Sequence, residues 1–165
     1  MLSHRLPSVL LVATLVVVGG HRPTFARHGV PTDACALLTK EQVSAALEVT
    51  SLAGRHPFAS ITTSCIWSDD ADASISNRRV TLSILRPRGF DMPRSGGAMK
   101  TAPASGVGDD AYYVLYGSAS PQLMVRKGDA QFSVRVLNGL KFKPFTLDEE
   151  KAKEMALAQA AVKAL

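Results

Sequence analysis

The residue types best able to do chemistry in this chain are scarce. There are two cysteines, Cys35 and Cys65, and four histidines, of which His28 and His56 lie beyond residues 1–26. The spacing of the cysteines excludes a C-x-x-C redox motif, and two cysteines with two histidines make no convincing zinc set. Nucleophilic catalysis needs a nucleophile, a base and an orienting group. His56, in Gly54-Arg-His-Pro57, is the main candidate base, with Asp109 or Asp110 as its carboxylate. Those two aspartates are adjacent in a segment read as extended, so their side chains should point oppositely. No G-x-S-x-G elbow is present. Gly106-Val-Gly-Asp-Asp110 is glycine-rich but lacks the following helix of a phosphate cradle, and reads as a turn entering a strand. Asp70, Asp72 and Ser74 have the alternate spacing of a calcium loop, yet Ile75 and Thr81 stand where that loop needs Gly and Glu. Catalytic residues, a cofactor and a metal are therefore not expected.

Charge excludes other functions. The chain has 19 Lys and Arg against 14 Asp and Glu, a net charge of +5. Residues 1–26 read as a secretory signal: Arg5, then a nearly unbroken apolar run from Val9 to Val18, ten residues where a membrane span needs about 20. Cleavage is expected after Ala26, with Gly20 as the alternative. Loss of Arg5 and Arg22 would leave 17 basic residues against 14 acidic, a net +3. The basic residues are scattered, with Arg78-Arg79, Arg86, Arg88 and Arg94 the densest group, so nucleic acid is not an expected partner. Neither is a stable transmembrane anchor. No lipobox accompanies Cys35. Export and an even cysteine count argue for one disulfide between Cys35 and Cys65, with two buried free thiols as the alternative.

These residues must be carried by a small set of elements in residues 27–165. Thr39 and Gln42 form a capping box ahead of a helix at about 40–48. Residues 61–67 read as a strand with Ile61, Thr63, Cys65 and Trp67 on one face, so Trp67 should pack beside the disulfide. Residues 79–85 alternate cleanly. Residues 87–109, rich in Pro, Gly, Ser and Ala, read as a long irregular loop with room for a short helix. Ala111–Tyr116 is a third strand. Gln122–Lys127 and Ala130–Val136 form a hairpin about Gly128-Asp129, in which Lys127 faces Ala130, Val125 faces Phe132 and Leu123 faces Val134. Its other face, with Met124, Arg126, Ser133 and Arg135, is largely polar. Thr146 and Glu149 cap a terminal helix with an apolar stripe of Ala152, Met155, Ala158, Val162 and Leu165, and Glu149 is expected to pair with Lys153. The expected architecture is α+β: an antiparallel sheet of about five strands with N- and C-terminal helices packed on one face.

Three segments taken in order, Cys35-Ala-Leu-Leu-Thr-Lys-Glu-Gln-Val43, Cys65-Ile-Trp67, and Gly106-Val-Gly-Asp-Asp-Ala-Tyr-Tyr113 leading into Val125-Arg-Lys-Gly-Asp129, resemble a widespread family of uncharacterised secreted bacterial proteins, a domain of unknown function. Many of its members are lipoproteins. The resemblance covers most of residues 33–165. It implies a small extracytoplasmic α+β domain with paired cysteines at Cys35 and Cys65, and brings no catalytic residues. The missing lipobox sets this chain apart from the lipoprotein members.

The expectation is an exported, periplasmic or secreted, non-catalytic binding or interaction module of the cell envelope. Its partner would be a protein, an envelope component or a small ligand. The surfaces expected to bind are the 87–109 segment and the sheet face carrying Met124, Arg126, Ser133 and Arg135. The alternatives are a small secreted hydrolase using His56, and a purely structural envelope accessory.

Overall fold

The computed structural model describes residues 30–165 apart from 73, 98 and 118. The expected signal segment, residues 1–26, lies outside the described residues.

A short 3-10 turn, Ala34–Ala36, is capped by Asp33, whose carboxylate accepts the Cys35 N–H at 2.8 Å. Helix α1, Lys40–Leu47, starts at the expected capping box: the Gln42 N–H donates to Thr39 Oγ1, and the Thr39 N–H donates to Gln42 Oε1. Strands β1 (Ser64–Ser68) and β2 (Arg79–Ile84) follow, then a four-residue helix α2 (Met92–Ser95). Next come β3 (Lys100–Ala104), β4 (Asp110–Leu115), β5 (Gln122–Lys127) and β6 (Ala130–Leu137), and finally helix α3 (Leu147–Lys163).

The six strands form one antiparallel sheet in the order β1-β2-β6-β5-β4-β3. The sequence reading missed β3. It lies at the sheet edge, contains Pro103 and buries little, so it carries neither alternation nor a central strand's apolar content. The β5–β6 hairpin has the expected register, with Lys127 opposite Ala130, Val125 opposite Phe132 and Leu123 opposite Val134. β1 starts at Ser64, and Ile61 is exposed rather than part of its inner face.

Alternation divides the strands between two apolar clusters. The larger joins Cys65, Trp67, Val80, Leu82, Val125, Phe132 and Val134 to Val43 and Leu47 of α1 and to Leu157, Ala158 and Ala161 of α3. The smaller joins Phe90 to Tyr112, Val114 and Met124, positions that alternate with those of the first. The disulfide Cys35–Cys65 ties the 3-10 turn to β1. Closing a loop across a sequence separation of 30 stabilises by about 3–4 kcal/mol in the chain-entropy model. Trp67 packs against it so closely that a Cβ on Gly54 would stand 2.6 Å from the indole and 2.7 Å from Cys65 Sγ.

The buried face of α3 differs from the expected stripe. It runs through Glu150, Glu154, Leu157, Ala158 and Ala161, while Ala152 is exposed. Neither Glu150 nor Glu154 belongs to that stripe, because an apolar stripe is scored by side-chain type. In the fold they meet polar groups where β5 and β6 part. Glu154 accepts the Val136 N–H at 2.9 Å, and Glu150 accepts from Ser120 Oγ and from Asn138 Nδ2. Lys153 pairs with Glu48 at 2.5 Å, not with Glu149, whose carboxylate is occupied by the Thr146 cap.

Candidate functional site

The 85–99 segment leaves β2, crosses the sheet by seating Phe90 on Tyr112, and returns through α2 to β3. The two rings meet edge-on with centroids 5.0 Å apart, and the Tyr112 hydroxyl donates to the Phe90 carbonyl. Arginines surround this pair. The Arg94 guanidinium lies 3.8 Å from the Tyr112 ring centroid, and that of Arg126 lies 4.9 Å from Phe90. Both donate to Asp110, Arg94 through two nitrogens at 2.9 and 3.2 Å, Arg126 at 3.2 Å. The Arg94 hydrogen bond, more than the surrounding charge, holds the Asp110 carboxyl below its usual range. Burial pushes the Tyr112 phenol up.

On the outside of this platform is a shallow depression of about 650 Å³, lined by Arg86, Pro87, Arg88, Gly89, Asp91, Met92 and Ser95. A smaller one of about 190 Å³, lined by Met92, Pro93, Gly96, Met99 and Tyr116, adjoins it through Met92. Met92 is 68% exposed, Met99 44% and Tyr116 36%. Arg86 and Arg88 are exposed, and neither makes an ion pair among the described residues. The backbone at Arg88 is left-handed, φ 71°.

The sheet face expected to bind is only partly a surface. Met124 is buried beneath Phe90 and Ser133 is buried beside Gln122, whose amide donates to its hydroxyl at 2.8 Å. Arg126 and Arg135 are half-buried and engaged internally. Arg126 binds Asp110, and Arg135 donates to the Ser120 carbonyl at 3.2 Å with its guanidinium 5.0 Å from the Tyr116 ring centroid. The sequence identified these residues by their shared side of a hairpin. It carried no sign that Phe90, from a segment forty residues away, would cover them.

The proposed histidine–aspartate pairing is rearranged. His56 takes Asp33 as its carboxylate, with Nε2 3.5 Å from Oδ1, and its Nδ1 lies 2.9 Å from the Ser64 carbonyl and 3.6 Å from Cys35 Sγ. Asp109 and Asp110 diverge as expected: Asp109 receives Lys127 Nζ and the Gly128 N–H, each at 2.7 Å, while Asp110 receives the arginines. Hydrogen bonds from Lys127 and Gly128 keep the Asp109 carboxyl low. Asp72 Oδ1 is occupied by the Ser74 N–H and by Asn77, a loop-closing role. Residues 106–109 form the expected turn. Gly108 has φ 63°, and a Cβ there would stand 2.5 Å from the Arg126 carbonyl oxygen.

A third depression, about 420 Å³ between α1 and α3, is lined mainly by alanines with Gln42 and Lys153. It lacks the convergent polar groups that orient a ligand. Among the described residues no helix is long and apolar enough to cross a membrane. Comparison with protein-family models, curated proteins and solved structures finds no match.

Proposed function

We propose that this protein is a non-catalytic binding module of the cell envelope, extracytoplasmic, which holds an acidic, partly apolar peptide segment of a partner protein in the depression around Met92. The observation that carries this reading is the combination there of a large exposed apolar side chain with two exposed arginines that make no ion pair among the described residues. Lone exposed apolar residues are ordinary. Met92, Met99 and Tyr116 share a connected rim, and such a rim with charge beside it suits a partner of matching character. The depression is shallow and open, which favours a chain segment over a small molecule that must be mostly enclosed. Left-handed backbone at a non-glycine residue costs about 1–3 kcal/mol, and its retention at Arg88 argues for a role of that side chain.

We take both helices to roof the face of Leu123, Val125, Phe132 and Val134, which leaves the opposite face to the 85–99 segment. The disulfide supports an oxidising compartment. The kinship with the secreted family stays a proposal of the same kind, supported by the Cys35–Cys65 pair and by the turn ahead of β4. Selection of displayed random peptides tests the function. Peptides with Asp or Glu near an apolar residue should be enriched on the wild type and lost on an R86S/R88S variant. Equal enrichment on both proteins would refute the assignment.

A further inference from the structure

We propose a second activity, independent of peptide binding: the Cys35–Cys65 disulfide exchanges with external thiols. Cys35 is the sulfur attacked, His56 the charge partner of its thiolate, and Asp33 the residue that positions His56.

Three observations carry this. The first is unequal burial. Cys65 is wholly buried under Trp67 and Gly54, whereas Cys35 is half-buried. Of the two cysteines, Cys35 is therefore the one that an incoming thiol can approach. The second is the ring beside that sulfur. His56 is brought to it by residues 52–55, which run along the free edge of β1, with the Arg55 N–H and carbonyl both bonded to Ile66. Acceptors face both ring nitrogens, the Ser64 carbonyl at Nδ1 and the Asp33 carboxylate at Nε2. A ring carrying a proton on each nitrogen would have an acceptor facing both. The Nδ1 nitrogen itself lies 3.6 Å from Cys35 Sγ, with the Ser64 carbonyl nearer to it at 2.9 Å. The third is Asp33, whose Oδ1 both caps the Cys35 N–H and faces His56, so that carboxylate, ring and sulfur lie within 4.8 Å of one another. A disulfide that only staples a loop has no use for these neighbours. A thiolate released at Cys35 would meet a cation, the arrangement that lowers cysteine pKa values into the range of about 3.5–7.5.

The exchange runs in two steps. A thiolate R–S⁻ attacks Cys35 Sγ. The Cys35–Cys65 bond breaks, R–S–S–Cys35 forms, and Cys65 leaves with the bonding pair and takes up the proton lost by the thiol. A second thiolate attacks the R sulfur. R–S–S–R departs, and Cys35 leaves as a thiolate paired with His56. Two thiols are oxidised by two electrons and the protein disulfide is reduced to a dithiol. In reverse, the Cys35 thiolate attacks a substrate disulfide.

Glutathione buffers test this on the full, folded protein, with the dithiol fraction read by alkylation and intact mass. The wild type should be reduced without denaturant. Its equilibrium constant for reduction should exceed that of H56Q by about tenfold, the equivalent of one unit of thiolate stabilisation. D33N keeps an acceptor for Cys35 and loses the charge, so it should fall between them. In a C65S variant the Cys35 thiolate, followed by its ultraviolet absorbance, should form below the usual ~8.5 and return to it in C65S/H56Q. The charged groups to consider are few. Asp33 contacts the ring, and the neighbouring Arg55 donates to the Ala71 carbonyl. If glutathione leaves the folded wild type oxidised, or reduces wild type and H56Q with one equilibrium constant, the proposal is overturned even where C65S fails to fold.

Discussion

Glutamate 154 should make the protein lose stability as pH rises, against the habit of buried carboxylates in ion pairs. The side chain is fully buried, its Oε1 accepts the Val136 N–H, and its Oε2 has no hydrogen-bond partner among the described residues. Burial pushes its pKa up from 4.5 to about 9, and the nearby Glu150 charge adds to this. The native state therefore keeps a proton that the unfolded chain releases above about pH 4.5. Stability from this group is fully present below that pH and declines until about pH 9. Each pH unit in between costs about 1.4 kcal/mol, so from about pH 5 to pH 8 the wild type should lose about 4 kcal/mol through Glu154. That is a large part of an ordinary domain's 5–15 kcal/mol. Glu154→Gln keeps the acceptor for Val136 and cannot ionise. Its buried amide adds a pH-independent cost of about 1–3 kcal/mol, so the slope, not the offset, isolates the effect. Urea unfolding of the disulfide-intact proteins, followed by the fluorescence of Trp67, measures it. The difference between variant and wild type should shift in the variant's favour by about 4 kcal/mol over those three units. Parallel stability curves for the two proteins would refute the argument.

Three further outcomes follow from individual sites. Arg78 is buried, donates to the carbonyls of Leu47 and Lys143, and has its guanidinium 4.7 and 4.0 Å from the ring centroids of Phe142 and Phe145. R78A should cost about 3 kcal/mol in denaturant unfolding, because it strands two carbonyls and loses both ring contacts. At Gly108, with its left-handed backbone and a backbone oxygen in the space of a Cβ, G108A should destabilise by about 2 kcal/mol and lower the thermal midpoint by several degrees. Burial pushes the Tyr113 phenol up to about 12, so the folded protein's absorbance near 295 nm should show one tyrosine that ionises only in that range. Y113F should remove that step.

Local rules carried most of the architecture. Both capping boxes formed where Thr39–Gln42 and Thr146–Glu149 were read, since a cap depends on residues three apart. The β5–β6 register followed from a two-residue turn and alternation. The disulfide needed only a count and a compartment. What was not legible depends on distant partners. The burial of Glu150 and Glu154 requires Asn138, Ser120 and Val136 at the place where two strands part. The pairing of His56 with Asp33 instead of Asp109 or Asp110 depends on the run of residues 52–55 along β1, whose only sequence trace is a segment without periodicity. β3 was missed for a related reason: an edge strand held by one neighbour needs little of the pattern by which strands are read.

The two faces of the sheet are stabilised in different ways, and this bears on where binding belongs. The larger apolar cluster takes in residues of α1, of α3 and of the disulfide besides those of the sheet. The other is a four-residue apolar cluster, and beyond it lie arginine planes laid on aromatic rings and tied to Asp110. Such exposed ion pairs contribute about 0–1 kcal/mol each, much less than a buried apolar side chain. The 85–99 segment is therefore held by several weak, reorientable contacts above a small firm anchor at Phe90. Segments of that kind open locally at a lower free energy than the core, the property a surface needs to adapt to a chain segment. At β1 the opposite holds, because Trp67, Gly54 and Cys65 leave no room for adjustment. The Cys35 sulfur, the His56 ring and the Asp33 carboxylate thus sit beside rigid packing, whereas the depression around Met92 lies on the segment held by weaker contacts.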